Sequence, residues 1–115
     1  MATTGTPATG PMVGHMVYFK LKEPTPENRQ KLVALCYKLC KGHSGEVYFA
    51  AGEESAAFDR DVNDHAWDVA LHIIFATKAD HDFYQYESER HLQFVAADKG
   101  LAGRPRVFDS LIATK

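Results

Sequence analysis

Residues 67–75 read Trp67-Asp68-Val69-Ala70-Leu71-His72-Ile73-Ile74-Phe75. Successive side chains of a strand point to opposite faces. Trp67, Val69, Leu71, Ile73 and Phe75 therefore share one face, and Asp68, Ala70, His72 and Ile74 share the other. The first set is apolar throughout and marks a strand laid on a core. The second is polar only at Asp68 and His72, so Ala70 and Ile74 leave it half apolar. A strand with apolar surface on both sides belongs to a sheet that needs cover on both sides.

Working outward, residues 15–22 (HMVYFKLK) form a strand with His15, Val17, Phe19 and Leu21 on one face and Met16, Tyr18, Lys20 and Lys22 on the other. Pro24-Thr25-Pro26 ends it and starts a helix, with Thr25 as N-cap and Pro26 in the first turn. Leu32, Leu35, Cys36, Leu39 and Cys40 then recur at helical spacing, and Gly42 is the stop signal. Residues 46–51 (EVYFAA) make a short strand between Gly45 and Gly52, followed by an acid-rich connection. Beyond Phe75, a helical region starts near Thr77 or Lys78, passes Phe83, Tyr84 and Tyr86, breaks around Ser88, and resumes through His91, Leu92, Phe94 and Val95. Gly100, Gly103 and Pro105 form a loop before a last strand, residues 106–113. Residues 1–11 (MATTGTPATGP) offer no apolar surface, so a flexible N-terminal tail is expected over residues 1–13 and a single domain over residues 14–115.

The resulting order, β-α-β-β-α-β, is that of a ferredoxin-like α+β fold: one antiparallel sheet with the helices on one face. The helix-free face still carries Tyr18, Tyr48, Ala70 and Ile74, or their neighbours if the facing is reversed. A self-complementary partner is the simplest cover, which predicts a homodimer paired through the sheet face.

Composition narrows the function classes. The chain has 115 residues, 45% hydrophobic and 24% charged, the balance of one globular domain. Thirteen basic against fifteen acidic residues give a net charge of −2, which supplies no general attraction for nucleic acid. Cys36 and Cys40 cannot make a disulfide framework and are too few for a structural zinc site. No apolar run is long enough to span a membrane. The first lysine is Lys20, so no basic segment precedes an apolar run, and a cytoplasmic location is expected. No phosphate loop, dinucleotide fingerprint, nucleophile elbow or zinc motif is present, so neither a cofactor nor a metal is expected.

Gly14-His15-Met16-Val17-Tyr18-Phe19-Lys20-Leu21-Lys22-Glu23, the strand ending at Phe75, the aromatic helix leading to His91-Leu92-Gln93-Phe94-Val95, and Val107-Phe108-Asp109 together resemble the stress-responsive dimeric α/β-barrel family. The resemblance covers residues 14–112. It implies a dimer in which two sheets close into a barrel, binding a small hydrophobic ligand, without a defined activity. One member group, the plant olivetolic acid cyclase type, closes polyketides by a cofactor-free aldol-type condensation. By position, His91 resembles its catalytic base, Tyr84 its tyrosine partner, His15 a cavity histidine and Tyr37 a pocket tyrosine. Imidazole can take a proton alpha to a carbonyl near neutral pH, and a phenol can donate to the developing oxyanion. Tyr84 and His91 are seven apart where the family spacing is six, which leaves Tyr86 as the alternative tyrosine; Val69 stands where the cyclases carry another histidine. Cofactor-free monooxygenases share the architecture and form a further alternative. Some relatives hold a divalent cation on main-chain carbonyls after the first helix, here residues 41–47.

The same side chains have structural readings. His15 opens a strand and suits a buried hydrogen bond, His91 can bond Glu87, and His72 belongs to the sheet or dimer interface. Asp80, His81 and Asp82 splay around a helix and read as an acidic first turn rather than as metal ligands. Cys36 and Cys40, one turn apart on the apolar face, read as buried thiols. Whether the chain is an enzyme stays open at this level.

Overall fold

The computed structural model describes residues 10–113. Its elements are β1 (Val13–Phe19), α1 (Pro26–Leu39), β2 (Glu46–Glu53), β3 (Val69–Phe75), α2 (Lys78–Tyr86), α3 (Glu89–Leu101) and β4 (Arg106–Leu111). The sheet is antiparallel throughout in the order β2-β3-β1-β4. This is the expected ferredoxin-like α+β fold, with the second helical region divided in two at Ser88. Val13 opens β1 and is buried, one residue before the expected start of the domain. Residues 1–9 of the expected tail lie outside the described residues.

The core lies between sheet and helices. Val13, Val17 and Phe19 of β1 and Val69, Leu71, Ile73 and Phe75 of β3 are buried on that side with Leu32, Cys36 and Cys40 from α1 and its C-cap, and with Tyr84 and Phe94. Trp67 and the last residues of the expected first strand fall outside the ladder, because Asp68 stops the pairing. Its carboxylate accepts from the Leu21 backbone N–H at 2.8 Å and from the Arg29 guanidinium at 3.0 Å, while its own N–H donates to the Phe19 carbonyl at 2.8 Å. Beyond Phe19 the chain is tied to the end of α3 instead, through an isolated Leu21–Ala102 bridge.

The C-terminal end of α1 is clasped by Arg90, which donates to the carbonyls of Lys38 and Lys41 at 2.8 and 2.7 Å. A guanidinium thus occupies one carbonyl, that of Lys41, within residues 41–47, where the family resemblance implied a main-chain cation site. Gly45 follows in the left-handed region at φ +84°, and a Cβ there would meet the Asp80 side chain at 2.2 Å. Only glycine fits.

The opposite sheet face has no helix. Tyr48, Ala50 and Gly52 of β2 align across the sheet with Ile74, His72 and Ala70 of β3, Gly14, Met16 and Tyr18 of β1, and Ser110, Phe108 and Arg106 of β4. Tyr18, Tyr48, Ala70 and Ile74 therefore lie on the open face, the first of the two facings considered. His72 lies there too, edge-on to Tyr48 at 5.3 Å between ring centroids.

Candidate active site

Tyr84 is the hub of the helix-side interior and is only 1% exposed. Its ring lies 4.4 Å from that of His91, 4.9 Å from His43, 5.2 Å from Phe75 and 5.7 Å from His15. Three candidates proposed from sequence, His15, Tyr84 and His91, are thus brought together from β1, α2 and α3. The helix break makes this possible. Ser88 caps α3 by accepting from the His91 N–H at 3.1 Å, so the last turn of α2 and the first turn of α3 both face inward. Tyr86 is 72% exposed on the outer side of α2, so Tyr84 is the cluster's tyrosine. Tyr37 is half exposed and packs edge-on to Phe49 at 5.0 Å, apart from the cluster. Val69 faces the core on the helix side.

Burial governs the protonation states. It pulls His91 down to about 4, reinforced by the neighbouring imidazoles of His15 and His43, so His91 is neutral at neutral pH. Its Nδ1 is buried without a hydrogen-bond partner among the described residues; the expected bond to Glu87 is not formed. Burial raises the Tyr84 phenol well above its ordinary value, helped by the nearby Cys40 thiol, and keeps it a donor. Burial also lowers His15, against the opposing pull of Asp109, whose carboxylate accepts from His15 Nδ1 at 2.5 Å. Cys36 and Cys40 are free, fully buried thiols, as expected, and the hydrogen bond with Cys40, together with burial, raises Cys36.

Two groups escaped the sequence reading. His43, in the turn after α1, donates from Nδ1 to the Cys40 carbonyl at 3.0 Å and is hydrogen-bonded through Nε2 to the Ser88 hydroxyl at 2.6 Å. No motif surrounds it; only the turn geometry brings it to Tyr84. Asp98 of α3 is buried, and burial pushes its carboxyl up to about 6. It looked like an ordinary charged helix residue.

Asp98 lines a recess of about 390 Å³ between sheet and α3, with Val17, Phe19, Leu71, Phe94 and Ala102 among its walls. Phe94 also stacks against His91, with centroids 6.4 Å apart and planes at 21°. A larger hollow, about 950 Å³, lies on the open face between Tyr18, Trp67, His72 and Arg106.

A four-stranded antiparallel sheet under three helices, with a histidine–tyrosine cluster between the layers, defines a ferredoxin-like α+β domain. The chain belongs to the stress responsive A/B barrel domain family, whose model matches residues 13–112. Among solved structures, a Dabb family protein with a ferredoxin-like fold from Mesorhizobium loti superposes with a TM-score of 0.72 at 17% identity, covering 90% of this chain and 99% of that one. A dimeric ferredoxin-like protein of unknown function from Thermobifida fusca gives 0.73 at 14% identity, covering 90% and 93%. The hydroxynitrile lyase of Passiflora edulis gives 0.72 at 16% identity, covering 93% and 98%. At such identities the likeness is one of fold. Comparison with curated proteins gives no match. Among the described residues, no helix is long and apolar enough to cross a membrane.

Proposed function

We propose that the chain is a homodimer, paired through its open sheet face, that binds a small hydrophobic molecule in the recess between the sheet and α3. The observation that carries the reading is Asp98. A carboxyl group set among Val17, Phe19, Leu71 and Phe94, with Oδ1 unpartnered among the described residues, is costly unless something uses it. A small apolar ligand bearing one hydroxyl or amine donor would satisfy it. The family's lack of a defined activity is compatible with such a binding role.

Titration of the labelled protein with small phenols, followed by NMR, tests this. The Phe94, Val95 and Asp98 amides should shift together. Asp98→Ala should weaken binding by about tenfold, the worth of one buried hydrogen bond. Equal affinity in Asp98→Ala, or shifts confined to other regions, would overturn the reading.

A second reading is favoured by the neutral imidazole of His91, which stacks on Phe94 and leaves Nδ1 unpartnered among the described residues. In it, the protein is a cofactor-free lyase or cyclase of the olivetolic acid cyclase type, with His91 as proton acceptor, Tyr84 as donor to the substrate oxyanion and His15 positioning the carbonyl. The Tyr84 hydroxyl lies beside Cys40, so the phenol would have to donate from that side. Removal of a general base costs roughly 100- to 10,000-fold in rate. His91→Ala should therefore abolish any turnover found by substrate screening, and Tyr84→Phe should slow it. Wild-type turnover by His91→Ala would eliminate this reading. The monooxygenase alternative rests on architecture alone.

A further inference from the structure

His15 and Asp109 stand directly opposite each other on β1 and β4, on the helix side of the sheet. Above them, His81 comes down from the second turn of α2, with its ring 5.3 Å from that of His15 and its Nε2 3.5 Å from the Asp109 carboxylate. One ligand atom from each residue lies within 4.8 Å of the other two. Three elements distant in sequence thus converge two imidazoles and a carboxylate on one point.

The hydrogen bonding of His81 sharpens the case. Its Nδ1–H donates to the Asp82 carboxylate at 2.9 Å, and Asp82 is itself held by Lys78 at 2.7 Å. That bond puts a hydrogen on Nδ1 and leaves Nε2 as the nitrogen that faces the cluster. Nε2 is buried, has no hydrogen-bond partner among the described residues, and lies 3.5 Å from the Asp109 carboxylate. A metal ion bound to Nε2 would bridge it to that carboxylate, in the place a proton can also take. An outer carboxylate that orients a histidine whose other nitrogen faces an anionic ligand is the usual arrangement behind a bound transition metal.

We propose that His15, His81 and Asp109 form a binding site for one first-row divalent transition metal of the Zn2+ or Co2+ class. Mixed nitrogen and oxygen ligands suit these borderline ions. Bonds of about 2.0–2.1 Å put neighbouring tetrahedral ligands roughly 3.3 Å apart. The His81–Asp109 separation of 3.5 Å already has this spacing. The His15–Asp109 pair, closed as a hydrogen bond at 2.5 Å, opens by under about 1 Å when the metal replaces the shared hydrogen. Ligation through His15 Nδ1 moves that ring's N–H to Nε2. Asp109 is 43% exposed on its side chain, which gives the ion a route in and leaves room for water as a fourth ligand.

The site shares His15 with the proton-transfer reading but not the recess, and its test reads metal rather than turnover, so each can fail alone. The full chain, stripped of metal and free of any affinity tag, is titrated with Co2+ and followed by its visible ligand-field absorption. One saturable equivalent per chain, displaced by Zn2+, is expected. Asp82→Asn, which alters only the orienting carboxylate, should weaken Co2+ binding by about 10- to 100-fold. His81→Ala and Asp109→Asn should weaken it at least as much. Asp82 and Asp109 are partly exposed, so these two variants keep the experiment decisive if His81→Ala does not fold. His65→Ala, which removes the surface His65–Glu54 pair, should bind Co2+ like the wild type. No saturable binding by the folded wild type would overturn the proposal, since a proton alone then fills the site. Unchanged affinity in Asp109→Asn, or loss of binding in His65→Ala, would overturn it equally.

Discussion

Asp68 shows how much one side chain can hold. It is buried and serves the end of β1, the start of β3 and Arg29 of α1 at once. Asp68→Ala would leave the Leu21 N–H without its acceptor and the Arg29 guanidinium without its counter-ion, a loss of about 3 kcal/mol in denaturant melts. Asp68→Asn keeps an acceptor oxygen and should lose less. Asp98 and His91 act through pH instead. Burial holds the Asp98 carboxyl up to about 6, above its unfolded value near 3.9, so between these values the folded chain binds more protons. Its contribution to stability is therefore full at low pH and falls as pH rises through about 4 to 6. His91 has the opposite sign. Its folded value of about 4 lies below the unfolded 6.5, so its contribution is lost as pH falls through about 6.5 to 4. The two slopes oppose each other in the same window. Urea melts across pH 4 to 6 should show a steeper rise with pH in Asp98→Asn than in the wild type, and a fall with pH in His91→Gln. Asp98→Asn should also gain on the order of 1–2 kcal/mol at pH 7; a variant no more stable than the wild type there would contradict the buried charge.

The break between α2 and α3 is the element on which the site depends. Ser88 caps α3 and also bonds His43, so one hydroxyl joins the helix start to the turn after α1. Ser88→Ala should cost about 1–2 kcal/mol, at the upper end for an N-cap because His43 also loses a partner. Ser88→Thr, which keeps the hydroxyl, should recover most of that, as read from thermal melts. This break was legible in the sequence, since Ser88 interrupts two apolar-periodic runs, and so were both central strands, whose core-facing side chains recur at every second residue. The meeting of His15, Tyr84 and His91 was legible only through family resemblance, because spacing along the chain does not show that two helices turn inward at a break. The placement of His81 beside His15 and Asp109 was hidden for a different reason. Judged beside Asp80 and Asp82, its neighbours on one helix, it had no common focus with them. Its partners come from the β1–β4 register and the descent of α2 onto the sheet, and neither is encoded in local sequence. Asp98 was missed because α3 carries charge around most of its circumference, which hides the single carboxylate that points inward.

At the scale of the molecule, the helix-free face is the unfinished part. Tyr48 and Phe108 are 49% and 60% exposed on it, from the edge strands β2 and β4. Large aromatic side chains left in water are the apolar surface that a second copy would cover. Sedimentation equilibrium should give twice the chain mass at micromolar concentration, and Phe108→Asp should shift the population toward monomer. A wild-type protein that stays monomeric there would rule out pairing through this face. The strand order has one more consequence. β1 and β3 are interior, so their amides point into ladders on both sides, whereas β2 and β4 each present one row of amides to no other strand of the same chain. Deuterium should therefore enter β2 and β4 at alternate positions first, while His15, Val17, Leu71 and Ile73 exchange only through opening of the whole domain. The cluster's β1 histidine thus rides on the slowest-breathing strands of the chain.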